Sequence, residues 1–184
     1  MTITHTTIED LDVLEQLFNQ AIAYQQSRSD HFWRGMNRPL IEKEIRDKLH
    51  WKIIQEDQIA CFFSIAFNDR LIWDERDADP SIYLHRIVTN PAFRGKGYVK
   101  HIIVWAEAFG RTAQKQWIRL DTGRDNERLN AYYQQCGFTF CGIKQFEDDG
   151  NPSVPKHYLG SGLSLYERPI PSETPKPSVS TSAP

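Results

Sequence analysis

The sequence predicts an α/β chain of the α+β type, a mixed and mostly antiparallel sheet flanked by helices. Three observations predict it. Residues 51–55 and 59–67 are β-rich runs joined by the short polar segment Glu56-Asp57-Gln58, the pattern of an antiparallel hairpin. Residues 82–89 are β-branched and apolar enough for a buried strand, are stopped by Asn90-Pro91, and lead through Arg94-Gly95-Lys96-Gly97 into a long helical pattern. Ile8, Leu11, Leu14, Leu17, Phe18, Ala21 and Ile22 recur at helical spacing near the N-terminus.

The remaining elements follow in order. Residues 2–5 suit a short first strand, and Thr6 or Thr7 caps the helix behind it, with Glu9 and Asp10 in the first turn. Residues 25–38 lose the helical period and read as a loop over a substrate site. Pro39 opens a second helix with Ile41, Ile45 and Leu49 as its stripe. Residues 68–80 form an acidic loop carrying Leu71, Ile72 and Trp73. After the central strand, Val99, Ile102, Ile103, Ala106, Phe109 and Ala113 line the core side of a helix beginning near Gly97. A strand at 117–122, a helix at 126–136 ended by Gly137, and strands at 138–143 and 164–167 complete the series. Residues 146–157 read as a long polar loop.

At 184 residues the chain suits one domain, here 1–167. Residues 168–184 are dense in Pro and Ser and read as an extended, mobile tail. The composition, 40% hydrophobic and 25% charged, is that of a globular protein, and a net charge of −2 gives no reason to expect nucleic acid as a partner. No apolar run is long enough for a bilayer, no secretory signal core begins the chain, and a cytoplasmic location is expected. Cys61, Cys136 and Cys141 fit neither a metal motif nor a disulfide framework; they read as buried small hydrophobes, with Cys136 placed beside the Gly137 turn. No metal is implied. A homodimer is left open.

The strand–turn–helix unit around Arg94 has the makings of an anion site. The first N–H groups of a helix lack internal partners, the helix dipole is positive there, and glycine lets a phosphate approach the backbone. Two other phosphate motifs fit worse. A dinucleotide fingerprint has Lys100 where its third glycine belongs, although Asp121 lies at a plausible downstream distance, and its strand would run straight into the glycines. A P-loop needs Ser or Thr where Gly97 follows Lys96.

Arg94, Gly97 and Val99 stand at the key positions of an Arg/Gln-x-x-Gly-x-Gly/Ala signature, Val99 in place of the small residue. Asn126, Tyr133 and Gly137-Phe138 fall into an Asn-x-x-Ala-x-x-x-Tyr-x-x-x-Gly-Phe pattern, with Leu129 for Ala. In these two ordered landmarks the chain resembles the GNAT superfamily of acetyl-CoA-dependent N-acetyltransferases. The resemblance implies the acyltransferase fold of that superfamily and acetyl transfer from acetyl-CoA to a primary amine of a small molecule or peptide, by direct attack in a ternary complex. It also implies a cofactor site. The CoA pyrophosphate would lie on Arg94, Gly95, Lys96, Gly97, Tyr98 and Val99. The pantetheine arm would pair with the backbone of Ile87, Val88 and Thr89, and Asn126 would bond CoA. Tyr133 would protonate the departing thiolate. Each has an ordinary alternative: a geometric turn, a core strand, a helix cap and an inward-packed ring. Relatives often carry a Glu base where this chain has Tyr83. His85, two residues on and so on the same face, has an ordinary pKa suited to that task, or is a structural histidine. Glu44, Asp74 and Glu75 are further candidates. A CoA-binding sensor without turnover and a nucleotide-dependent oxidoreductase remain as alternatives.

Overall fold

The computed structural model describes residues 1–27, 33, 35–146 and 162–172. In chain order the elements are β1 (Thr2–His5), α1 (Leu11–Gln26), α2 (Arg38–Arg46), β2 (His50–Gln55), β3 (Gln58–Ala66), α3 (Arg70–Trp73), β4 (Ser81–Thr89), α4 (Tyr98–Thr112), β5 (Trp117–Gly123), α5 (Glu127–Gln135), β6 (Thr139–Gln145) and β7 (Gly162–Pro169). The strands form one seven-stranded sheet in the order β1-β2-β3-β4-β5-β7-β6. Every neighbouring pair is antiparallel except β4 with β5. The sheet is therefore mixed and mostly antiparallel, with helices packed on it, as the sequence predicts.

Local chemistry sets the boundaries. Thr7 and Asp10 form a reciprocal capping box ahead of α1, the Thr7 N–H donating to Asp10 Oδ2 at 2.7 Å. Asn37 caps α2 by accepting from the Leu40 N–H, with Pro39 in the first turn. Glu56 and Asp57 join β2 to β3, both with left-handed φ near 52° and 56°, the geometry of a two-residue hairpin turn.

Alternation along the strands sends side chains to two apolar layers. Ile53, Phe63, Ile65, Ile82, Leu84, Ile118 and Leu120 pack with Ile102, Ile103 and Ala106 of α4. Leu11, Leu14, Leu17, Phe18, Ile41 and Ile45 of α1 and α2 cover the opposite face, over Phe62 and Val88. Ile82 and Leu84 share the α4 layer with Ile87, whereas Val88 lies in the α1 layer. The parity breaks at Arg86, which has φ 49° and sits where the β3–β4 register shifts. This is a β-bulge, and one extra residue reverses the facing of everything after it.

Three expectations need correction. The acidic loop at 68–80 contains α3 and a 3-10 turn over Asp74–Ala78, because Ile72 and Trp73 bury themselves against Tyr83, Phe146 and Leu163. The last strand runs from Gly162 to Pro169, longer than 164–167. The tail boundary expected at Arg168 accordingly falls inside β7. Arg168 pairs with Glu107 at 3.0 Å, and the Ile170 N–H donates to the Gln116 carbonyl at 2.8 Å. Those polar and apolar contacts outweigh the Pro-rich composition there. Residues 173–184, residues 28–32 and 34 of the loop expected at 25–38, and residues 147–157 of the loop expected at 146–157 lie outside the described residues.

Candidate functional site

Parallel pairing between β4 and β5 lasts for three residue pairs and ends at Tyr83 opposite Arg119. Beyond it β4 stays with β3 as far as Thr89, while β5 stays with β7 as far as Gly123. The two arms splay, and a cleft opens between them. The β4 edge facing that cleft, which includes Ile87, Val88 and Thr89, has no strand on it among the described residues. Its backbone groups need other partners, which water or an extended ligand can supply.

One rim of the cleft is the turn into α4. Asn90 accepts from the Ala92 N–H and starts a 3-10 turn at Pro91–Phe93. Gly95 and Gly97 then take φ of 82° and 71°, the left-handed region that glycine enters without strain. Gly97 is the N-cap of α4, no side chain caps the helix there, and no acid lies in its first turn. Arg94 and Lys96 are exposed beside it, and the Arg94 guanidinium lies 4.2 Å from the centre of the Tyr24 ring. An uncapped helix start flanked by cations suits a phosphate. Val99 does not crowd it, for its side chain is buried in the α4 layer. Tyr98 is also buried, its hydroxyl donating to Gln55 at 2.7 Å.

The foot of the cleft holds an ionisable cluster. Asp121 alternates with Leu120 and shares a face with Arg119. His85 comes from β4, and Asp69 from the turn before α3. A nitrogen of His85 and carboxylate oxygens of Asp69 and Asp121 all lie within 4.8 Å of one another, with His85 Nε2 3.6 Å from Asp69 Oδ2. Arg86, the bulge residue, is the cation beside them; it pairs with Glu44 of α2 and donates to Ser64 Oγ at 2.7 Å. Burial and neighbouring charge set the proton inventory. Burial, then the Asp69 carboxylate, pushes Asp121 up to about 7. Burial, then Asp77, pushes Asp69 up to about 6. Burial, then the Arg86 guanidinium, pushes His85 down to about 3.

Tyr133 is buried, packed between Phe138 and Tyr166, and burial followed by the Asp121 charge raises its phenol well above the ordinary range. The structure thus gathers His85 and Tyr133 with two acids that sequence reasoning did not place in the site. In the sequence Asp121 suggests only a ribose partner, and Asp69 is one acid among many in its segment. Strand alternation two residues beyond Arg119 was the available signal for Asp121. Asn126 accepts from the Leu129 N–H at 3.1 Å and caps α5. Glu44 is engaged with Arg86, and Asp74 with Lys144 at 2.7 Å on the surface. Cys61 is buried, its thiol pushed up to about 12. Among the described residues, no helix is long and apolar enough to cross a membrane.

Residues 12–138 match the model of the acetyltransferase (GNAT) family. An uncharacterised N-acetyltransferase of Bacillus subtilis, YesJ, is 25% identical over 176 residues, covering 90% of this chain and 88% of that protein. The aminoglycoside N(6')-acetyltransferase type 1 of Salmonella typhimurium is 28% identical over 123 residues, 59% of this chain and 83% of that one. A GNAT-family acetyltransferase from Listeria monocytogenes superposes with a TM-score of 0.71 at 24% identity, over 92% of this chain and 94% of that one. The putative acetyltransferase yncA from Salmonella typhimurium, solved with its cofactor acetyl-CoA, superposes with a TM-score of 0.65 at 12% identity, over 97% and 98%.

Proposed function

The chain belongs to the acetyltransferase (GNAT) family, and we propose that it transfers the acetyl group of acetyl-CoA to a primary amine by direct attack within a ternary complex. The observation that carries this reading is the cleft itself: two parallel strands that part after Tyr83 and Arg119, with an uncapped cationic helix start on the rim and titratable groups at the foot. The aminoglycoside relative, which acetylates a nitrogen, supports an amine as the acceptor. Family membership sets the oxidoreductase alternative aside.

In this reading the pyrophosphate lies against Arg94, Gly95, Lys96, Gly97 and the first turn of α4, where unpaired N–H groups meet it. Tyr98 and Val99 contribute their backbone there while their side chains anchor the helix in the core. The pantetheine arm runs along the free β4 edge at Ile87, Val88 and Thr89, which brings the thioester toward Tyr133. Asn126 has an amide nitrogen left for CoA after its oxygen caps α5. Tyr133 acts as a hydrogen-bond donor to the sulfur. Its raised proton affinity makes full proton transfer to a thiolate of ordinary pKa, about 8.5, uphill.

Two measurements test the proposal. Calorimetry should show acetyl-CoA binding, and mass spectrometry should show acetylated product from a panel of polyamines, aminoglycosides and peptide amines. CoA binding without transfer to any amine favours the sensor alternative. Absence of CoA binding removes both.

A further inference from the structure

We propose that the Asp121 carboxylate, flanked by Asp69 and His85 at the foot of the cleft, receives the proton that the acceptor ammonium must lose. The inference rests on the acetyl-transfer reading and names the base within it. A lysine-like amine, of pKa about 10.4, is neutral in only roughly one molecule in two thousand at pH 7, so a nearby acceptor has real leverage.

The geometry distinguishes the three members. Asp121 stands on the β5 arm two residues past the last β4–β5 pair, close enough for its charge to act on the Tyr133 phenol. The charged and titratable groups facing it are Asp69, His85, Arg86 and Tyr133. His85 lies next to Arg86 and 3.6 Å from Asp69, and a guanidinium beside an imidazole opposes a second positive charge. Asp69 is turned toward Asp77, Asp121, Arg86 and His85 and has one carboxylate oxygen buried without a hydrogen-bond partner. Asp69 and His85 are positioning residues. Burial, then the like charge of Asp69, raises the proton affinity of Asp121 toward neutrality, and His85 packs a neutral ring beside it. A carboxylate near 7 lies about 3 units closer to the ammonium than one near 3.9, worth about 10³-fold in the proton-transfer equilibrium.

The ammonium gives one proton to Asp121. The freed nitrogen lone pair attacks the thioester carbonyl carbon, and the C–N bond forms. The tetrahedral intermediate collapses with cleavage of C–S, the electron pair leaving on sulfur. The second nitrogen proton passes to that sulfur, directly or along Tyr133. The products are the amide and CoA thiol, and the proton on Asp121 returns to solvent after release.

The test is a set of pH–rate profiles at saturating acetyl-CoA, with an amine found by the screen, for the parent protein and Asp121→Asn, Asp69→Asn and His85→Gln. Asp121→Asn should lower kcat by about 10²–10⁴-fold and remove the acidic limb near pH 7, while CoA affinity and melting temperature hold. Asp69→Asn should move that limb to lower pH, because it removes a like charge. His85→Gln should keep a limb. A readout independent of turnover is the titration of aspartate carboxyl carbons by ¹³C NMR, in which a resonance moving near pH 7 should vanish in Asp121→Asn.

The assignment is overturned if the parent protein transfers acetyl and Asp121→Asn keeps its limb and rate. It is equally overturned if His85→Gln alone abolishes the limb, or if Asp121 titrates in the ordinary carboxylate range. Loss of activity on chelation with rescue by a divalent ion would also overturn it. CoA binding without transfer to any amine removes the acetyl-transfer reading, and the base with it.

Discussion

Tyr83 and Arg119 are the last residues paired between β4 and β5, and Arg119 is the largest fully buried side chain in the described structure. Its guanidinium donates to Asp79 at 2.6 Å, to Glu167 of β7 at 3.1 Å and to the Arg76 carbonyl at 2.5 Å, and it lies 4.8 Å from the Trp73 ring centre. One residue at the foot of the cleft thereby ties β5 to β7 and to the 3-10 turn beside α3. On the other arm, the bulge at Arg86 adds twist to β4. The arms separate because each is committed to its outer neighbour.

Arg119→Met should therefore be strongly destabilising. Breaking a buried ion pair by removing one partner costs about 3–5 kcal/mol. Asp79 is 49% exposed and Glu167 20%, so water partly takes over and the loss belongs near the lower end. Urea denaturation measures it. A change below about 1 kcal/mol would show that the apolar contacts of Trp73 and Tyr83 hold this turn by themselves.

Much of this architecture was legible in the sequence because it rests on local signals. The hairpin at Glu56-Asp57, the stop at Asn90-Pro91 and the helix stripes each follow from a few adjacent residues. The bulge was not legible. Arg86 is neither Gly nor Asn, so nothing in its type announces a left-handed backbone. What holds it is distant in sequence, Glu44 on α2 and Ser64 on β3. The proposed cofactor-site residues rest on motif spacing, whereas Asp69 joins Asp121 and His85 only after β3 and β4 have brought their ends together. The docking of Arg168 was hidden by its Pro-rich neighbours, because its partners Glu107 and Cys136 lie on other elements.

Arg94→Ala should weaken CoA binding in calorimetry and spare a pantetheine fragment that lacks the pyrophosphate. A hydrogen bond to a charged group contributes about 1.5–3 kcal/mol. Arg94 is exposed, which favours a loss of roughly tenfold, the low end of that range. Equal losses for both ligands would mean that Arg94 acts through its contact with Tyr24 rather than on phosphate.

Tyr133→Phe keeps the ring in its packing with Phe138 and Tyr166 and deletes only the hydroxyl. Acetyl-CoA affinity should survive. Because the raised phenol is a poor acid toward a thiolate, kcat should fall by no more than about 10²-fold, the lower end for acid catalysis. A larger loss with unchanged affinity would show that the proton moves fully in the transition state.

Deleting residues 168–184 should lower the melting temperature, and deleting 173–184 should not. The first removes the Arg168 pair with Glu107, the Ile170 bond to Gln116 and the Ile170 side chain, which sits so close over Gly110 that a methyl there would collide with it. The second removes none of these contacts. Equal melting of both truncations would show that the end of β7 contributes nothing.

His50 offers a test of the buried charge balance through pH. It is fully buried, bonded through Nδ1 to Thr6 Oγ1 at 2.8 Å, with Nε2 lacking a partner. Burial, then the Arg86 cation, lowers it from 6.5 to about 3. Between those values the unfolded chain binds a proton that the folded one refuses. Its contribution to stability is therefore complete above pH 6.5 and is lost as pH falls toward 3. Asp69 and Asp121 act in the opposite sense: raised from 3.8 to about 6 and about 7, they favour the fold below 3.8 and lose that effect as pH rises. Removing His50 removes one acid-sensitive group and leaves the aspartates. Between pH 4 and 6 the stability curve of His50→Gln should therefore tilt relative to the parent by about 1.4 kcal/mol per pH unit, gaining on the acidic side. Denaturation curves at three pH values in that window measure the tilt, and parallel curves for the two proteins would show that His50 accepts a proton in the folded state as readily as in the unfolded one.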